Sequence, residues 1–180
     1  MVEGRIAEQC APTLAGIKCG SLFRTHSDIA GFASEIELIN AELGPRGVTV
    51  ATFRPSGRGT LVYVYRKDLL SRISSDRRSV DMLEDLGYDI SSTGSLVRCL
   101  KERTEEKGCV PHEIGIFLGY PYEDVKGFVD GGECKCMGCW KVYGSIETAE
   151  RMFRRFRKCR DVYARRYRQG TTLAKLTVTS

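Results

Sequence analysis

The sequence predicts an α+β fold that is mostly helical, with a small antiparallel sheet built on one hairpin. Three observations lead there. Apolar residues recur at helical spacing through most of the chain. Two segments, VTVATF at 48–53 and TLVYVY at 60–65, are instead rich in β-branched and aromatic residues and flank the turn-like RPSGRG. The 180 residues, 42% hydrophobic and 28% charged, suffice for one soluble domain with a sizeable core. The expected organisation is a single globular domain over 1–170, followed by a C-terminal tail or short terminal strand over 171–180.

Each element has a local reason. RIAEQCAPTLAGIK is helix-like, but Pro12 ends one helix near Ala11 or begins the next. In SDIAGFASEIELINAELG, the residues Ile29, Phe32, Ala33, Ile36, Ile39 and Leu43 mark one helix face, with Ser27 as the expected cap and Gly44 and Pro45 as the stop. After the hairpin, helical segments are expected at 67–74, 79–86 and 92–107, the last two ending at Gly87 and Gly108. PHEIGIFLGYPYEDVKGFV reads as two short helices meeting at Gly119 and Tyr120, with Pro111 and Pro121 in first-turn positions. Ile114, Phe117, Leu118, Val125 and Phe128 are expected to face the core. The 135–143 segment has the composition of a short strand.

The last helix is the clearest. Ile146, Ala149, Phe153, Phe156, Cys159, Tyr163 and Tyr167 form an apolar and aromatic stripe opposite a basic face. Ser145 is placed to cap it, Glu147 suits its positive end, and Gly170 ends it.

Charge is concentrated in that helix. Between 151 and 168 nine arginines and lysines face Asp161 alone, so this segment is +8 in a chain of net charge +5, leaving −3 for the rest. Such a face either repels itself or meets something anionic. Arg151, Arg154, Arg155, Lys158, Arg165 and Arg166 are therefore the candidate partner-binding residues. An acidic protein, such as a small redox protein of the flavodoxin kind, fits them electrostatically; nucleic acid and anionic lipid share the same sign, and a merely solvated surface is the competing reading. The aromatics lie on the opposite stripe, which counts against base stacking. No segment approaches the ~18 uncharged apolar residues of a membrane span. Glu3, Arg5 and Glu8 stand where a secretory leader would be apolar, so a cytoplasmic protein with reduced thiols is expected.

Eight cysteines invite chemistry. Cys10, Cys19 and Cys99 sit among apolar neighbours and are expected to act as small core residues. Cys134, Cys136 and Cys139, in CKCMGCW, offer three thiols to zinc or iron. A closed structural zinc site takes four ligands, and Cys109, His112 or Cys159 is the candidate fourth. In CVPHE, Cys109 and His112 form a thiol–imidazole pair of the sort that makes a nucleophile, although Pro111 intervenes and no orienting group can be named. In RPSGRG, Arg54 and Arg58 beside Gly57 and Gly59 could hold an anion, against the plainer reading of a hairpin connection. The helix–GYP–helix run outlines a helix-turn-helix reader, but its second helix offers Glu123, Asp124 and only Lys126, the wrong charge for phosphates.

CAPTLAGIK at 10–18, HEIGIFLGYPYEDVKGF at 112–128 and CWKVYG at 139–144, in that order, resemble a small family found mainly in clostridia and related anaerobes, domain-of-unknown-function family 3793. The resemblance spans nearly the whole chain. It implies an anaerobe's cytoplasmic protein and brings with it no activity, cofactor or catalytic residue. It also implies that the thiols flanking the tryptophan vary among members. The leading expectation is a non-catalytic binding or accessory protein that uses its basic helix against an acidic partner. The alternative is a cysteine-ligated metal or redox protein.

Overall fold

The computed structural model describes residues 2–25, 29–55 and 59–179. Helix α1 (Val2–Gln9) bends at Cys10 into α2 (Ala11–Leu14), whose first turn takes Pro12, as a residue lacking an N–H can. Strand β1 (Gly20–Thr25) and helix α3 (Ile29–Leu43) follow. A 3-10 turn at Gly44–Arg46 and Gly47, at φ 79°, deliver the chain into β2 (Val48–Phe53) and β3 (Thr60–Arg66). The expected cap Ser27, the loop residue Gly57 and the candidate anion ligand Arg58 lie outside the described residues.

The hairpin at 48–65 is present, but it is two-thirds of a sheet. β1 pairs antiparallel with the other edge of β3, from Gly20 opposite Tyr65 to Thr25 opposite Thr60, so the order is β1-β3-β2. All seven residues of the central strand are buried. Alternation along β3 divides two cores. Val62 and Val64 face one that contains Ile6, Leu14, Ile39 and Leu43. Leu61, Tyr63 and Tyr65 face a second that contains Leu83, Leu100, Phe117 and Val125. Cover on both faces explains why TLVYVY reads as a continuous apolar run.

The second core is built by α4 (Lys67–Ser71) with a 3-10 turn at Arg72–Ser75, α5 (Arg77–Asp85), α6 (Thr93–Lys107), α7 (Ile114–Phe117) and α8 (Tyr122–Val129). Ser92 accepts the amide of Ser95 at 3.0 Å to start α6, and Gly108 ends it at φ 65°. The 135–143 segment folds as a small hairpin of β4 (Cys136–Met137) and β5 (Lys141–Val142), and then α9 (Ile146–Arg168) begins under its Ser145 cap. Trp140, Val142, Ala149, Phe153 and Phe156 form a third, smaller apolar cluster between that hairpin and α9.

Three expectations are corrected. The C-terminal tail is neither a strand nor a frayed end: α10 (Leu173–Leu176) buries Leu173 and Leu176 in the first core, and Val178 donates its amide to Leu14. Buried Arg66 explains this docking, since its guanidinium donates to the carbonyls of Leu14 and Val178 at 3.3 and 3.0 Å. Phe128 is 37% exposed rather than in the core, because the last turn of α8 runs past it. Ile146, at the first turn of α9, is likewise exposed. Among the described residues no helix is long and apolar enough to cross a membrane.

Candidate ligand-binding site

Two buried carboxylates set the geometry around α7 and α8. Glu113 accepts the Tyr88 hydroxyl at 2.8 Å and the Arg103 guanidinium at 3.2 Å, and Arg103 also donates to the Leu86 carbonyl. Burial and the adjacent carboxylate push the Tyr88 phenol far above its usual range. Asp124 spends both oxygens across the fold. One accepts the amides of Tyr143 and Gly144 at 2.8 and 2.7 Å, and the other accepts the Trp140 indole N–H at 2.7 Å. This one residue ties α8 to the β4–β5 hairpin and to the start of α9. The approach is close enough to require Gly127, where a Cβ would lie 2.4 Å from that of Tyr143.

Trp140 is the hub of what results. It stacks on Tyr120, with centroids 4.4 Å apart at 22°, and meets Phe153 edge-on at 4.5 Å. Two cavities share the wall made by Leu118, Tyr120 and Cys139. The first, of about 300 Å³, is apolar: Ile114, Val125, Phe128 and Trp140 line it, with His112 and Lys141 as its polar edge. The His112 ring packs edge-on against Phe128 at 5.0 Å. The second, of about 340 Å³, has Pro12, Leu22 and Phe156 for walls, with Lys18, Arg160, Gln9 and Ser21 as polar groups. The Lys18 ammonium lies over the Tyr120 and Phe156 rings at 5.4 and 5.8 Å. Burial depresses its pKa to about 8.

A model of the family described as "Protein of unknown function (DUF3793)" matches residues 6–177. The chain belongs to that family. No curated protein and no solved structure matches it. The three stretches of this DUF3793 chain that carry the resemblance are far apart in sequence and meet at this site. Lys18 ends the first, Leu118, Tyr120 and Asp124 belong to the second, and Cys139 and Trp140 open the third.

The thiols read from sequence are less well gathered. Cys134 and Cys139 are exposed and Cys136 half-buried, and the Cys134 thiol donates to the Cys136 carbonyl at 3.1 Å. Cys109 is exposed beyond α6, while Cys159 is half-buried on α9, its thiol pushed up to about 11 by burial. Of the candidate fourth ligands, His112 shares a cavity wall with Cys139. Among the described residues no three of His, Cys, Asp and Glu are placed to hold one metal ion, and Cys109 and His112 make no hydrogen bond to each other. Cys10 and Cys19 are core residues as expected, each raised to about 12 by burial. At the start of the β2–β3 loop, the Arg54 amide donates to the Glu105 carboxylate at 2.8 Å.

Arg151, Arg154, Arg155, Lys158, Arg165 and Arg166 are all exposed, while Phe153 and Phe156 point inward. Arg160 stands apart from them, toward the second cavity. Sequence reasoning missed Lys18 and Arg160 as a pair, and only their one-turn-to-one-loop convergence reveals them.

Proposed function

We propose that this protein is a non-catalytic binding or accessory protein, working in the cytoplasm, that presents the outer face of α9 to an acidic partner. The observation that supports this reading is the state of the cations. Arg151, Arg154, Arg155, Arg157, Lys158, Arg165, Arg166 and Arg168 are exposed, and among the described residues only Arg154 has an ion-pair partner, Glu150 at 3.7 Å. A 23-residue helix spans about 35 Å, long enough to underlie an ordinary protein–protein contact. Because the helix's rings are used in packing, the face offers charge without stacking platforms, which favours a carboxylate-rich protein over single-stranded nucleic acid.

The test is association of the purified protein with a purified flavodoxin, with duplex DNA as a second arm. Replacing Arg154, Arg155 and Lys158 together by Ser should slow flavodoxin association by about tenfold at low salt, and the difference should shrink at high salt. A rate indifferent to both salt and substitution leaves the face a solvated surface. Capture of DNA but not of flavodoxin transfers the face to nucleic acid.

A further inference from the structure

We propose that the cavity between α2, the α7–α8 connection and α9 is a binding site for a small oxyanion, the phosphate or carboxylate group of an organic molecule, held between Lys18 and Arg160. The site lies on the opposite flank of α9 from the partner face and does not depend on it. Two cations line one cavity of about 340 Å³, and no carboxylate is among its lining residues. Neither Lys18 nor Arg160 has an ion pair or hydrogen bond among the described residues. The exposed Arg160 guanidinium and the desolvated Lys18 ammonium at one cavity repel each other, and an anion between them removes the repulsion and offsets part of the lysine's desolvation cost. Guanidinium and ammonium together are the usual means of holding an oxyanion, the first through paired N–H groups and the second as a point charge.

The remaining walls indicate the rest of the ligand. Pro12, Leu22 and Leu118 give apolar contact, with the Tyr120 and Phe156 rings under Lys18 completing the apolar wall. Ser21 supplies a hydroxyl at the cavity wall, already bonded to Thr13 at 2.9 Å. The volume fits at the lower end of small-molecule sites, so the ligand is a compact one.

The site is also tuned by protonation. Burial holds the free Lys18 pKa near 8, with Arg160 lowering it further. Burial keeps Cys10, Cys19 and Tyr120 protonated, each at about 12, so these neighbours stay neutral through pH 9. A bound anion restores the lysine proton, so affinity falls as pH rises above about 8, by about tenfold per unit.

Calorimetric titration of the full chain in an oxyanion-free buffer tests this, using inorganic phosphate, phenyl phosphate and benzoate as probes. Phenyl phosphate is expected to bind one-to-one and more tightly than inorganic phosphate, because the apolar walls engage the ring. Arg160→Gln and Lys18→Met should each weaken it by about tenfold or more, whereas Lys107→Met, remote on α6, should not. Arg160 is exposed, so its variant reports binding even if Lys18→Met disturbs folding. A pH series from 7.5 to 9.5 is run in the parent and in a Cys139→Ser background, which removes the cavity-lining thiol; phenyl phosphate, with its second pKa at about 6, keeps a constant charge. The loss of affinity should appear with Lys18 and vanish in Lys18→Met. Binding of phenyl phosphate alone assigns a phosphate group, and equal binding of benzoate assigns a carboxylate-tolerant site. No binding by any probe, or binding unchanged in both variants, overturns the proposal.

Discussion

Asp124 adds polar ties to a junction that the Trp140–Tyr120 stack and the Gly127–Tyr143 approach already bring together. Its three acceptor contacts satisfy a buried indole and two half-buried backbone amides. Asp124→Ala should therefore cost about 3 kcal/mol or more, since each orphaned donor carries its own desolvation penalty. Trp140 is the only tryptophan, so its fluorescence during urea unfolding reports this loss directly. Phe117 and Phe128 form a second comparison. Phe117 is fully buried, and truncation to Ala should cost roughly 3–5 kcal/mol. Phe128 only rims the apolar cavity, and Phe128→Ala should stay within about 1 kcal/mol of the parent protein. A large loss at Phe128 would place it in the core after all.

Helix α9 divides its labour by face, and the division can be measured. Replacing Arg154, Arg155 and Lys158 by Ser should leave stability within about 0.5 kcal/mol, because exposed charges contribute little. Phe153→Ala should instead cost roughly 3–5 kcal/mol, because its ring meets Trp140 and leaves no room for a side chain at Gly138. Elements of this kind were readable in advance: the 3.6-residue stripe, the Ser145 cap and the Gly170 stop all act locally. β1 was not readable, since Leu22 and Phe23 are adjacent and face different cores, so GSLFRT shows no clean alternation. Nor was α10, whose four residues are helical because Leu173 and Leu176 reach a core assembled elsewhere and Arg66 holds the carbonyl beyond them. The cysteine run drew attention because thiols are conspicuous in a sequence, whereas Lys18 becomes notable only once Tyr120, Phe156 and Arg160 surround it.

For the molecule as a whole, buried ionisable groups set a distinctive response to alkali. An unfolded chain keeps the Lys18 proton up to about 10.5 while the folded chain releases it near 8, so stability should rise with pH between those values. Cys10 and Cys19 act oppositely, ionising at about 9 when unfolded but only at about 12 when buried, so their contribution is lost above pH 9. The buried Tyr63 and Tyr88 phenols extend that loss above 10. The unfolding free energy from urea titrations under reducing conditions should climb by up to about 1 kcal/mol from pH 8 to 9 and then decline, each group contributing at most about 1.4 kcal/mol per unit. Lys18→Met should abolish the climb, and a free energy that only declines in the parent protein would contradict it. The docking of α10 bears on how the chain is made. The second core draws on residues from Cys19 to Val125 and can condense while translation continues. The first cannot close, because Ile6 and Leu14 await Leu173 and Leu176, and the Leu14 carbonyl awaits Val178. On the ribosome, α1 and α2 therefore emerge well before the segment that buries them, with their apolar faces open to chaperones until Leu173, Leu176 and Val178 have left the exit tunnel.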